Sequence, residues 1–222
     1  MNMQLIGYVQ NREHWCWAVA CKMVGEQYKR MHKEYDFKLV NETSPACGQV
    51  TSAQYDNGVV TKDMIGINWK IQRGGEVRVD AWQRAIVMNA NTSMYQGYEG
   101  DVSGDDEAKS RGIKYYLTGN IHSSRIEVEC IGSYYDNRSF MEEHESRIMK
   151  SMQRNEYIIG NAVWKEKKEC HSLVITCIEE NQVMLYDPLD GSILYCGIKE
   201  AFYSGFQSGM GVGVIKWIQR II

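Results

Sequence analysis

The stretch Gln10-Asn11-Arg12-Glu13-His14-Trp15-Cys16-Trp17-Ala18 leads directly into an apolar helical pattern. Trp17, Ala20, Cys21, Val24, Tyr28 and Met31 recur at three- and four-residue spacing, which marks one face of a helix. Lys29, Arg30 and Lys33 fall at its carboxyl end, where the helix dipole favours cations. Cys16 therefore lies in the first turn, and Gln10 stands just ahead of it. A cysteine in that place is either a small buried hydrophobe or a nucleophile whose thiolate the helix start stabilises. Gln10 is either a surface glutamine or an amide donor already set beside that thiol.

Working outward, residues 41 to 60 read as loop, with Ser44-Pro45 and Asp56-Asn57-Gly58 as turn signals. Asp80, with Gln83 three residues on, reads as the cap of a short helix through Trp82, Ala85, Ile86 and Asn89. Residues 97 to 112 carry glycines and the acidic cluster Asp101, Asp105, Asp106 and Glu107, and read as a solvated loop. Their spacing fits no calcium loop. Ile113 to Leu117 and Ile126 to Ile131 read as strands. Ser139 to Glu142 forms a capping box for a helix that runs to about Asn155. Strand-like runs follow at Tyr157 to Trp164, Leu173 to Ile178, Val183 to Tyr186, Ile193 to Cys196 and Gly211 to Ile218. The expected fold is α+β and a single domain over 1–222. A helical lobe covers about 1–110, with the nucleophile candidate at a helix start, and an antiparallel sheet-rich lobe covers about 111–222.

Composition narrows the classes of function. With 222 residues, 44% hydrophobic and 24% charged, the chain is long and apolar enough for a packed core. A net charge of -3 points away from nucleic acid as a partner. No apolar run reaches the roughly 18 residues of a membrane span. The start of the chain shows no basic region followed by an apolar stretch, so neither a signal peptide nor an inhibitory pro-segment is expected and the compartment reads as cytoplasmic. The cysteines are 7 in number (Cys16, Cys21, Cys47, Cys130, Cys170, Cys177 and Cys196), and all are expected to be reduced. Cys16 and Cys21 on one helix would rise roughly 7.5 Å apart, too far for an undistorted disulfide.

A thiol acts as a nucleophile in its thiolate form, so Cys16 needs an imidazole from elsewhere in the fold. His14, two residues before it, would point roughly 200° away if the helix reached that far. His32 falls at the far end of the helix, His122 in a loop and His144 on an acidic helix face. His171 stands at the mouth of the apolar run Leu173 to Ile178. A histidine there is either a core residue or a general base, and a base needs a third group to hold its ring. Asp187-Pro188 lies across a hairpin turning near Glu180-Asn181, which makes His171 and Asp187 expected neighbours. The Gln10 side-chain amide and the Cys16 backbone N–H then supply two donors for an oxyanion.

Taken together, Gln10, Cys16-Trp17-Ala18, the distant His171 and Asp187 resemble the papain-like cysteine peptidases. The Cys16-to-His171 separation is close to the roughly 130–150 residues of papain-type enzymes. Aspartate replaces the third-position asparagine of papain-type members. The Asp-Pro form is closer to the bacterial branch that resembles bacteriocin-leader peptidases and secreted papain-like effectors. The Gly-Ser-Cys-Gly-Ser loop of the family is replaced by Asn11 to Trp15.

The resemblance implies acyl transfer through Cys16, with His171 as base, Asp187 as orienter and Gln10 at the oxyanion. It implies a peptide or protein substrate, a specific peptide or leader, and neither cofactor nor metal. The same site would serve an acyltransferase, deamidase or transglutaminase. A non-catalytic peptide-binding module is the reading from outside the enzymes. A metal site of Cys170, His171 and Cys177 has poor spacing, because neighbours on a strand face opposite ways. Trp15, Trp17, Trp69, Trp82 and Trp164 are cleft or core residues.

Overall fold

The computed structural model describes residues 5, 7–35, 52–54, 59–60, 71–72, 76–78, 81–91, 102–134, 140–167 and 169–222. Helix α1 spans Cys16–Met31, α2 Ala81–Ala90, α3 Asp106–Thr118 and α4 Phe140–Gln153. Four short strands precede the main sheet: β1 (Ser52–Gln54), β2 (Val59–Val60), β3 (Ile71–Gln72) and β4 (Glu76–Arg78). They pair as β1 with β4 and β2 with β3, both antiparallel. The main sheet holds β5 (Val128–Gly132), β6 (Ile158–Trp164), β7 (Cys170–Glu179), β8 (Gln182–Tyr186), β9 (Ile193–Gly197), β10 (Phe206–Ser208) and β11 (Gly211–Ile221). Its order is β10-β11-β6-β7-β8-β9, with β5 also on β11, and every pairing is antiparallel. Helix and antiparallel sheet in one chain make the fold α+β.

Two expectations about the middle of the chain are corrected. Ile113 to Leu117 is helix, not strand. The alternation of Ile113, Tyr115 and Leu117 imitates a strand, but Tyr116 is also buried, along with Gly112 and Ala108 one and two turns earlier. The expected loop also gives way to helix from Asp106 onward: Asp105 caps α3, its side chain accepting from the Ala108 N–H at 2.7 Å. Asp106 and Glu107 then occupy the first turn, where the helix dipole stabilises anions. Gly119, at φ 71°, closes the other end in the left-handed conformation. Helix α3 therefore runs past residue 110 to Thr118. Within 41 to 60, Ser52–Gln54 and Val59–Val60 are strands rather than loop. Strands of two or three residues are too short to carry a periodic signal. The turn residues Ser44 to Pro45 and Asp56 to Gly58, the caps Asp80 and Ser139, and also Asp101, Cys47 and Trp69, lie outside the described residues.

Strands β6, β7 and β8 separate two cores. Ile159, Val174 and Tyr186 pack on the side of α1, α2 and α3. Ile158, Ile175 and Leu185, their chain neighbours, pack on the opposite side with Ile148 of α4. A strand buried on both faces reads as a continuous apolar run, which is why these segments lack a polar alternation. Helix α1 is enclosed in its first two turns, since Cys16 to Val24 are all buried, and of its apolar face only Tyr28 and Met31 reach solvent. The single apolar face expected from its spacing is the minimum rather than the whole.

One irregularity sets the phase of the central hairpin. Glu180 and Asn181 turn it with φ of 48° and 68°, both in the left-handed region that two-residue hairpin loops use. From the turn the pairs run Glu179↔Gln182, Ile178↔Val183 and Cys177↔Met184, and then a bulge shifts the register to Ile175↔Leu185 and Val174↔Tyr186. Thr176 is the extra residue, and its hydroxyl donates to the Met184 carbonyl at 3.2 Å. Continuing the shifted register sets Asp187 opposite Leu173, on the face that Leu173 shares with His171. Without the bulge it would oppose Val174, on the other face. Thr176→Val removes the hydroxyl bond and keeps the shape, so urea unfolding should show a loss of about 1 kcal/mol, with Thr176→Ser close to the parent.

Candidate active site

Three side chains meet where the start of α1 reaches β7. Cys16 is the first residue of α1 and is 9% exposed. His171, 6% exposed, is the second residue of β7, and Asp187, 3% exposed, follows the last residue of β8. The His171 Nε2–H donates to Asp187 Oδ1 at 2.6 Å. The same carboxylate oxygen accepts the Leu189 N–H at 2.8 Å, which fixes its direction. With Nε2 so engaged, Nδ1 is the ring nitrogen left for the hydrogen bond between His171 and Cys16. The side chains expected to come together from the hairpin argument do so.

Charge follows geometry. Burial alone would push the Cys16 thiol up, but the His171 imidazolium, its hydrogen bond and the Ser172 backbone N–H outweigh burial and hold the thiol below its ordinary 9.0. Burial alone would likewise favour neutral His171. The Cys16 thiolate and the hydrogen bonds to Asp187 and Cys16 prevail and raise it from 6.5 to about 10. The two shifts run in the direction that favours a thiolate and an imidazolium in one buried site. No other described cysteine resembles it: Cys21 is pushed well up by burial, Cys130 to about 12, and Cys177 and Cys196 each to about 11. Burial also raises Cys170.

The start of α1 is built for an anion. No side chain caps it, its first turn holds no acidic residue, and the N–H groups of Ala18 and Val19 go to the Trp15 carbonyl. The Cys16 N–H therefore stands at the positive end of the helix, beside the thiol. Gln10 is 8% exposed and gives one Nε2–H to the Glu13 carbonyl at 2.5 Å. An amide has two such protons, so one remains. Gln10 Oε1 is buried without a partner among the described residues.

Residues not singled out from sequence hold this arrangement. Gln83 of α2, fully buried, donates through Nε2 to the Val9 carbonyl at 2.9 Å and accepts the Asn11 N–H at 3.0 Å. It thereby clamps the backbone on both sides of Gln10, a job distinct from the capping role its spacing from Asp80 suggested. The Gln10 N–H reaches the Pro188 carbonyl at 2.8 Å, tying the glutamine segment to the Asp187 turn. Tyr186 adds a bond from its hydroxyl to the Tyr8 carbonyl at 3.1 Å. Ser172 and Asn161, both buried, are joined by a 3.2 Å bond behind His171. A glutamine, a tyrosine or a serine used in this way leaves no spacing signal, because its partners are remote in the chain.

Cys16 and His171 open into a cleft of about 520 Å³ whose walls include Trp17, Lys109, Asn161 and Ser172. Gln10 is not among the residues lining it. His14, set aside on helical geometry, lines this cleft because the helix begins only at Cys16. Trp15 and Trp164 are core, each 1% exposed; Trp164 lies 6.2 Å from the His171 ring, centroid to centroid. His32 pairs with Glu156 at 3.3 Å, His144 lies 3.8 Å from Glu143, and His122 is exposed. Cys177 borders a separate depression with Tyr157 and Glu179. The six described cysteines are free thiols. No described helix is long and apolar enough to cross a membrane.

Compared with protein-family models and with curated proteins, the chain matches none.

The thiolate fraction at a given pH rises as the thiol's pKa falls. His171→Ala removes the charge and the hydrogen bond that do most to lower it, leaving burial, which raises it, against the Ser172 N–H and Lys109 alone, so the alkylation profile of Cys16 should move to higher pH. At pH 7 iodoacetamide labelling should slow more than ~10-fold. Asp187→Asn should move the imidazolium limb from about 10 toward 6.5, read from the high-pH side of the same profile.

Proposed function

We propose that this chain is a cysteine peptidase of the papain-like kind. The observation that carries the reading is the buried relay in which Asp187 holds His171 at 2.6 Å and His171 in turn holds the Cys16 thiol. A core histidine needs one hydrogen-bond partner. One that bridges a carboxylate and a thiol at an uncapped helix start is placed for nucleophilic catalysis.

The chemistry follows from those groups. The Cys16 thiolate attacks the substrate carbonyl, and negative charge moves to the carbonyl oxygen. The Cys16 N–H is the donor beside the thiol for that oxygen, and the second Gln10 amide proton reaches it by a turn of the side chain toward the cleft. His171 passes its Nδ1 proton to the departing amine, leaving a thioester on Cys16. It then takes a proton from the incoming water, whose oxygen bonds to the acyl carbon as the C–S bond breaks, restoring the thiolate and the imidazolium. Asp187 keeps its negative charge throughout, steadying the imidazolium and fixing which nitrogen faces Cys16.

Labelling with limiting iodoacetamide tests the nucleophile without knowing the substrate. Cys16 should be modified first at pH 7, ahead of the exposed Cys170, and labelling of Cys170 first would defeat the proposal. For turnover, a peptide library read by mass spectrometry should show bond cleavage with one water added. Cys16→Ala should abolish it and Asp187→Asn should slow it by about 10²- to 10⁴-fold. Products carrying an added amine, or an amide converted to acid without chain cleavage, would transfer the reading to an acyltransferase or a deamidase.

A further inference from the structure

A buried ammonium stands in the wall of the cleft with donors to spare. Lys109 of α3 is 4% exposed and lines the same cleft as Cys16 and His171. Its ammonium carries three donor protons. Among the described residues its carboxylate partner is Asp106, at 3.5 Å, a long contact to a side chain that is itself 48% exposed. The reason is competition. Asp106 Oδ1 already accepts 2.8 Å and 2.9 Å bonds from Trp217 Nε1 and Gln219 Nε2, which draw the carboxylate toward β11. Trp217 also flanks the ammonium, its ring centroid 5.6 Å away.

A buried cation is costly unless it is closely paired, so a site that keeps one half-paired beside a reaction cleft favours an incoming anion. Apart from the Cys16–His171 pair, the other charged groups on the cleft, Glu13, Lys167 and Glu169, are exposed at its rim, where solvent and salt screen them. Lys109 is the charge there that water shields least.

We propose that Lys109 forms a carboxylate subsite: the cleft takes a substrate bearing a carboxylate beside the bond that Cys16 attacks. The inference rests on the reading of Cys16 as nucleophile. An acidic side chain and a peptide's own carboxyl terminus offer the same chemistry.

Two alkylating agents separate this from the parent reading. Iodoacetate and iodoacetamide react alike, the thiolate forming an S–C bond as iodide leaves with the C–I electrons, but iodoacetate alone brings a carboxylate. Any effect of His171 or Lys109 on the thiolate itself acts on both reagents and cancels in the ratio of their rates. Lys109→Met should lower the iodoacetate-to-iodoacetamide ratio at Cys16 at least about fivefold, and Lys109→Arg should retain it. An unchanged ratio in a folded Lys109→Met overturns the subsite. Slow reaction of Cys16 with both reagents in the parent chain overturns the nucleophile instead.

The unaltered chain supplies a second measurement at constant ionic strength, in which peptides protect Cys16 from iodoacetamide. Protection by a glutamate peptide with an amidated end assigns the subsite to an acidic side chain. Protection by a neutral peptide with a free end assigns it to the carboxyl terminus, and protection by neither overturns it.

Discussion

A full charge inside a protein is tolerated only where an opposite charge and directed hydrogen bonds compensate the lost water. The His171 imidazolium is such a charge, and much of the fold serves its two bonds. The Asp187 carboxylate must arrive on one side and the Cys16 thiol on the other, both within hydrogen-bond reach. Each partner comes from a different element: Asp187 from the end of β8, Cys16 from the start of α1. Neither bond survives unless the sheet register and the seating of α1 are both correct.

The two requirements are met by different means. Register is a matter of one residue, because a slip by one turns every side chain of a strand to the opposite face. The bulge at Thr176 takes up that residue. The seating of α1 is a matter of burial. Cys16 to Val24 are enclosed by α2, α3 and the face of the sheet that carries Ile159, Val174 and Tyr186. Gly112 fits against the Cys21 side chain, since a Cβ there would lie 2.9 Å from its sulfur. A helix so enclosed has little freedom to withdraw its first turn from His171.

Helix α3 links the core to the cleft. Its cap Asp105 fixes where it starts, and that start sets Asp106 against Trp217 and Gln219 of β11. The same turn brings Lys109 to the cleft wall. Residues that read as a solvated loop in the sequence thus bring a buried ammonium to the cleft that holds the thiol. The alternation of Ile113, Tyr115 and Leu117 concealed this, because a helix buried on a broad face can imitate a strand over five residues.

The sequence by itself was enough to single out Cys16, His171 and Asp187 as a set. Cys16 follows from the onset of a long helical period, and His171 with Asp187 from an apolar hairpin with a turn at Glu180-Asn181. These are local signals, carried by residues close in the chain. It also sufficed for the α+β class and for most of the sheet strands. What only the tertiary structure decided was phase and support. The bulge at Thr176 sets Asp187 on the face of His171, Gln83 clamps the Gln10 segment from seventy-odd residues away, and Lys109 is delivered by a helix that the sequence disguised. The physical reason is the same in each case. A hydrogen bond or a buried charge between remote residues imposes no period on the chain, so it becomes visible only when the backbone has brought the two groups together.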